Sequence, residues 1–119
     1  MGAHNDFGKK GEELAVDYLV QAGYRIVYRN YRYQKAEIDI IAQKGEILAI
    51  VEVKSRKSDF WQHIAEIITE KKIKLLVKAA NQYVISRNLD IEVRFDVIIV
   101  LGENGNYKID HIENAFYHF

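Results

Sequence analysis

The chain has no cysteine among its 119 residues. That excludes a disulfide framework, thiolate catalysis and a cysteine-ligated zinc site, and it fits a reducing cytoplasm. Charge of one sign is missing too: 17 basic and 17 acidic residues give a formal net charge of zero, which speaks against a uniformly basic nucleic-acid binder. No apolar run is long enough to cross a bilayer, so no membrane partner is expected. The N-terminus, Met1-Gly2-Ala3-His4-Asn5-Asp6, lacks the positive-then-apolar pattern of a signal peptide. It also has Asp6 where a myristoylation site wants Ser or Thr. The histidines His4, His63, His111 and His118 are scattered without zinc-ligand spacing. Gly8-Lys9-Lys10-Gly11 is too short for a P-loop and lacks its Lys-Ser/Thr ending, and no serine sits in a nucleophile elbow.

What remains is an ordinary globular composition, 49% hydrophobic and 29% charged, long enough for one core and therefore one domain over 1–119. Periodicity predicts a helix from Asp6 to about Ala22, with Phe7, Leu14, Ala15, Tyr18, Leu19 and Ala22 on one arc. Gly23 ends it in the usual C-terminal position. Tyr24 to Tyr33 reads as a strand, and Ala36 to Ala42 with Glu46 to Lys54 reads as a hairpin. Thr69 caps a second helix running to about Arg87, whose apolar stripe is Ile73, Leu76, Val77, Ala80 and Val84. Glu92 to Leu101 and Tyr107 to Ile112 complete the strands, while Ser58 to Ile68 is readable as a short helix or as an ordered loop. Helix, three strands, helix and two strands make an α/β fold with a mixed central sheet flanked by helices.

Two acidic strand ends interrupt this apolar framework. Ala36-Glu37-Ile38-Asp39 and Val51-Glu52-Val53-Lys54 place twelve residues between Asp39 and Glu52. Burying an unpaired charge is costly, so acids inside apolar strands need a reason. Alternation puts Glu52 and Lys54 on one face, and a tight turn at Gln43-Lys44-Gly45-Glu46 folds Asp39 back beside them. Two carboxylates that can share a divalent cation, with an ammonium one step along, are the parts that metal-assisted phosphodiester cleavage needs. Oxygen donors without a histidine pair or thiols point to Mg²⁺ or Mn²⁺. On the first helix, Glu12 lies near the directions of Leu19 and Ala15, whereas Glu13 points with Asp17 to solvent. Glu12 is readable as a further acid at the site or as a first-turn Glu favoured by the helix dipole. Glu37 supports the metal site or pairs with a nearby Arg, with pairing the stronger reading. Asp96, inside Arg94-Phe95-Asp96-Val97, reads as structural, accepting hydrogen bonds or pairing with a basic side chain.

The pattern Asp39-x12-Glu52-x-Lys54 resembles the core motif of the PD-(D/E)XK nuclease superfamily. It stands among Gly8-Lys9-Lys10-Gly11-Glu12, Gly23-Tyr24, Arg29-Asn30, Val53-Lys54-Ser55-Arg56, Thr69-Glu70-Lys71-Lys72, Ala79-Ala80-Asn81-Gln82-Tyr83 and Arg94-Phe95-Asp96-Val97. Together these resemble the YraN-type family of small bacterial proteins over roughly the whole chain, a family similar in fold to archaeal Holliday-junction resolvases. The resemblance implies a restriction-endonuclease-like core. It makes Glu12 the third carboxylate, since the resolvase-like branch carries an acid on its first helix near the metal. Asp39 and Glu52 would hold Mg²⁺ or Mn²⁺ with the Val53 carbonyl, and Lys54 would orient or deprotonate the attacking water. Lys72 matches a recurrent family lysine and could touch a phosphate. Ala36 replaces the family's Gly, which stiffens the approach to the strand.

Basic residues flank the acids in sequence: Arg25, Arg29, Arg32 and Lys35 before them, Lys54, Arg56 and Lys57 after, then Lys71, Lys72, Lys74 and Lys78. They are solvated faces or a phosphate-contacting rim around the site. Trp61 reads as core packing or as a stacking surface for an exposed base. The implied partner is nucleic acid, DNA first, in repair or recombination. The alternatives are a non-catalytic nucleic-acid-binding module that keeps the nuclease fold, or an RNA or tRNA endonuclease. A homodimer would place two sites on two strands, with Ala115-Phe116-Tyr117-His118-Phe119 as a candidate contact.

Overall fold

In the computed structural model, which describes residues 3–57 and 68–116, the elements follow in the predicted order. They are α1 (Ala3–Gln21), β1 (Arg25–Tyr33), β2 (Ala36–Lys44), β3 (Ile47–Lys57), α2 (Glu70–Ser86), β4 (Glu92–Glu103) and β5 (Asn106–Ile112). The strands form one sheet in sequence order, antiparallel except for the parallel β3–β4 pair. Because α2 connects β3 to β4, the sheet is mixed and carries a helix on each face.

Local sequence chemistry sets the boundaries. Gly23 takes φ 96°, and the Gly23 and Tyr24 amides donate to Val20 and Leu19 carbonyls, a Schellman ending for α1. Asn88, at φ 53°, closes α2 the same way, its amide and that of Leu89 donating to Ile85 and Val84. The Thr69 hydroxyl accepts from the Lys72 amide at the start of α2. Asn104 and Gly105, both at positive φ, form the two-residue turn between β4 and β5.

Two apolar layers hold the sheet. Ala15 and Leu19 of α1 meet Ile40, Ala42, Ala49, Val51, Ile98 and Val100. On the other face Leu76, Ala79, Ala80 and Tyr83 of α2 cover Ile38, Ile41, Leu48, Ile50, Phe95 and Val97. The buried side of α2 is thus rotated from the expected stripe toward Ala79 and Tyr83, leaving Ile73, Val77 and Val84 partly exposed. The small Ala79 and Ala80 let the helix approach the sheet, and Tyr83 docks on the rings of Tyr31 and Tyr28, 5.1 and 6.4 Å away. The tail is also used internally: Phe116 stacks on Phe95 at 5.5 Å and the Ala115 amide donates to the Phe95 carbonyl. Phe116 is therefore covered by its own core rather than presented as a dimer contact, and Tyr117, His118 and Phe119 lie outside the described residues, as does Trp61.

The α1 face is anchored by a buried charge. Asp96 is fully buried and accepts from Arg94 (2.9 and 2.8 Å) and from the Asn114 amide (3.1 Å), with His111 Nε2 at 2.8 Å. The His111 Nδ1 meets the Tyr18 hydroxyl at 2.9 Å, and Arg94 also reaches the Tyr24 hydroxyl. Asp96 thereby has the structural role its sequence context suggested. Burial opposes its charge, but His111, Arg94 and the Asn114 amide overcome that cost and hold its pKa below the usual carboxylate value. A depressed native pKa stabilises the fold above the unfolded value of about 3.9, and that contribution is lost as pH falls through the native value. Asp96→Asn is expected to cost about 3–5 kcal/mol at neutral pH by removing the buried charge that Arg94 and His111 share, which leaves Arg94 only one carboxylate, that of the exposed Glu113, 3.5 Å away. The gap to wild type should shrink in acid, as read by urea unfolding at several pH values. A loss under about 1 kcal/mol at pH 7 would refute the anchoring role.

Candidate functional site

The β2–β3 ladder runs from Lys44↔Ile47 to Ile40↔Val51 and stops there. Beyond it β3 continues against β4 alone, through Lys57↔Gly102. The sheet therefore forks where Asp39 and Glu52 face each other. Asp39 fills the fork: its Oδ2 accepts the Val53 amide at 2.8 Å, replacing a missing ladder bond. Its carboxylate also feels the negative charge of Glu52 across the fork.

Strand alternation breaks at this point. Ile38 belongs to the α2-side core and Ile40, two residues on, to the α1-side core. The neighbouring strand breaks with it: Arg29 reaches the α1 acids while Tyr31 packs under α2. Between those two stands Asn30 at φ 55°, a left-handed residue inside a strand. Asn tolerates this conformation better than other side chains, and such strain persists only where the surroundings enforce it.

Glu52 is buried, its side chain 1% exposed. The Lys72 ammonium of α2 lies 2.7 Å from its Oε2, and the Lys54 ammonium 3.5 Å away. The Lys72 approach is a charge contact outside hydrogen-bonding geometry, and neither Glu52 oxygen has a hydrogen-bond partner among the described residues. Burial opposes the charge on Lys72, yet its contact with Glu52 prevails and raises its pKa. Asp39 is pushed up to about 8, first by burial and then by the Glu52 carboxylate.

Glu12 is half-buried on α1 while Glu13 and Asp17 are exposed, as helical geometry predicts. Burial raises the Glu12 pKa against the lowering effect of Arg29, whose guanidinium is 3.9 Å away, and Glu12 Oε1 has no hydrogen-bond partner among the described residues. Asp39 senses the charge of Glu12, but among the described residues no three acidic or imidazole side chains stand close enough to hold one ion. Glu12 thus stands beside the Asp39–Glu52 pair rather than within it. Its helix is drawn close to β3 by Gly11, where an added Cβ would meet Ser55 Oγ at 1.9 Å.

The remaining sequence candidates divide. Glu37 pairs with Arg32 at 2.9 Å, the stronger of its two readings. Arg29 is likewise engaged, by Glu13 at 2.8 Å, so this first basic cluster is partly neutralised. Arg56 and Lys57 lie at the end of β3 beyond Lys54, Lys57 exposed and Arg56 half-buried. Lys71, Lys74 and Lys78 line an open hollow on the outer side of α2 with Glu70 and Leu75. Unforeseen from the sequence were the reach of His111 into the Asp96 network, the left-handed Asn30, and a cluster of Tyr28, Tyr31, Tyr83 and Arg87 on the α2 side. The Tyr-Arg-Asn-Tyr-Arg-Tyr run of β1 was the signal available for the last.

A profile of the family described as "Uncharacterised protein family UPF0102" matches residues 11–100. A UPF0102 protein of Flavobacterium psychrophilum is 55% identical over 119 residues, covering all of both chains. One of Bacteroides thetaiotaomicron is 48% identical over 117 residues, 98% of this chain and 97% of that one. The chain belongs to the UPF0102 family. Among the described residues no helix is long and apolar enough to cross a membrane.

The raised Asp39 pKa has a measurable sign. The unfolded carboxylate releases its proton near pH 4, the native one only toward about 8, so the metal-free protein should lose stability between those values as pH rises. Any divalent cation held by the pair would have to displace that proton, so if Mn²⁺ binds there its affinity would climb from pH 6 toward 8 and then level off. Titration calorimetry in buffers of different ionisation enthalpy would report the released proton. Affinity that is flat with pH, or unchanged in Asp39→Asn, would place the ion elsewhere.

Proposed function

We propose that this protein is a divalent-metal-dependent endonuclease of the PD-(D/E)XK kind that hydrolyses phosphodiester bonds in structured or branched DNA. The observation that carries the reading is that Asp39 and Glu52 face each other at the fork between β2 and β3, near enough for the Glu52 charge to act on Asp39, with two lysines on Glu52. The donor set suits a hard cation: two carboxylates crowd each other, and both Glu52 oxygens are buried without hydrogen bonds. Bound there, Mg²⁺ or Mn²⁺ would supply an activated water and offset charge at the phosphate.

The chain's own residues take the other tasks. Asp39 and Glu52 hold the ion, with the Val53 carbonyl as a further oxygen, while the Val53 amide keeps Asp39 aimed into the fork. Lys54 shares Glu52's face and orients the attacking water while stabilising charge on the phosphate. Lys72, 41% exposed and already at the site, reaches the scissile or adjacent phosphate. Glu12 assists from α1, and Arg56 and Lys57 extend the basic rim along β3. The Lys72–Glu52 ion pair, which offsets one carboxylate without a metal, favours the second reading, a binding module that keeps the fold but not the chemistry.

Incubation of labelled single-stranded, duplex and four-way-junction DNA, beside RNA, with Mg²⁺ or Mn²⁺ separates these readings. Expected is metal-dependent cleavage of a structured DNA, abolished in Asp39→Ala and Glu52→Gln. Lys54→Ala should slow it by roughly 10²–10³ while retaining metal binding. Preferred cleavage of RNA would redirect the substrate. No cleavage of any substrate, with DNA binding intact in Asp39→Ala, would replace the enzyme by the binding module.

Binding has its own signature. Lys72→Ala and Arg56→Ala should weaken DNA binding about equally for all sequences and flatten its dependence on salt. Salt-insensitive binding, measured by anisotropy, would remove this surface from the interface.

A further inference from the structure

On the α2 side of the sheet, β1 presents Tyr28 and Tyr31, and α2 ends above them. Tyr83 and Tyr31 are buried, but Tyr28 is 42% exposed. Its ring meets Tyr31 edge-on at 5.2 Å. The Arg87 guanidinium lies 4.0 Å from the Tyr83 ring centre and 5.8 Å from that of Tyr28. Arg87 is solvent-exposed and bonds only the Ser86 hydroxyl, with no carboxylate partner among the described residues. Aromatic residues that only pack a helix onto a sheet are covered, whereas this cluster leaves one ring and one ring-stacked guanidinium facing water.

Register places the cluster next to the carboxylates. Tyr28 pairs with Ile41 and Tyr31 with Ile38, on either side of Asp39. Two residues of strand rise and one strand spacing put the Tyr28 and Asp39 backbones roughly 8 Å apart, within reach of a nucleotide adjoining one whose phosphate lies at the fork. An exposed ring beside a planar guanidinium suits a nucleobase taken out of its stack, and the guanidinium complements the phosphates on either side. A base still paired in a duplex hides its faces and could not use such a seat.

We propose that Tyr28 and Arg87 form a stacking seat for an unpaired nucleobase beside the Asp39–Glu52 pair, which makes the ligand nucleic acid with single-stranded nucleotides next to a duplex. The inference rests on the nucleic-acid reading above and deepens it. Binding measured without divalent metal keeps it separate from catalysis. The probes are a blunt DNA duplex and the same duplex with a short unpaired tail carrying 2-aminopurine. Wild type should prefer the tailed duplex and quench the probe. Tyr28→Ala should lower affinity for the tailed duplex roughly tenfold, abolish the quenching and leave blunt-duplex affinity unchanged. Tyr28→Phe should keep all three properties of wild type. Arg87→Ser, at an exposed position past the end of α2, should weaken tailed binding in the same selective way and provides the test if Tyr28→Ala does not fold. Duplex binding with no preference for the tail, or equal losses on both probes together with a lowered thermal midpoint, would overturn the seat alone. No binding to either probe would overturn the functional reading with it.

Discussion

A carboxylate withdrawn from water must be compensated where it stands, and Glu52 imposes that condition on everything around it. Its strand is apolar up to Val51 because both faces are covered, and the next residue turns an acid into the layer under α2. The compensating charges come from different places: Lys54 from the same strand, Lys72 from the first turn of the helix above. Lys72 can reach only if α2 starts where it does, and the Thr69 cap fixes that start. The Asp39 side chain completes the arrangement by taking the Val53 amide. Helix origin, strand fork and carboxylate pair are three aspects of one electrostatic requirement.

Two buried polar clusters differ in kind. Under α1, the buried Asp96 joins β4, β5, Tyr18 and the chain beyond β5 through hydrogen bonds that are all satisfied. Around the fork the polar groups are incompletely satisfied, with unbonded buried atoms on Glu52, Glu12 and Arg29. Satisfied buried networks fix a structure, and unsatisfied ones mark where something else can bind. This contrast separates Asp96 from Asp39, although both interrupt apolar strands.

Element order and most boundaries were legible in the sequence because they follow from short-range chemistry. Gly23, Thr69 and Asn104-Gly105 each act within a few residues of themselves. The Asp39–Glu52 approach was legible for the same reason, since a two-residue turn fixes the hairpin register. What was not legible depends on contacts between distant segments. The inward face of α2 is set by tyrosines on β1, some fifty residues away, as in the Tyr31–Gln82 bond. His111 could be linked to Asp96 only once β5 was placed beside β4. Strict alternation failed at Asp39, opposite the left-handed Asn30 of the neighbouring strand, a backbone that no period-two pattern expresses.

The parallel pairing of β3 with β4 has a consequence for how the chain reaches this state. The β1–β2–β3 meander closes through short turns, whereas β4 joins β3 only after α2 has crossed over. Non-local pairings of this kind form late, because the loop-closure entropy must first be overcome. Until then Glu52 is hydrated on an open strand edge, so the desolvation of its carboxylate falls near the end of the folding path. Interactions made that late govern how fast the native state is lost rather than how fast it is found. The charges proposed for chemistry are therefore also the ones expected to set the protein's lifetime as a folded molecule.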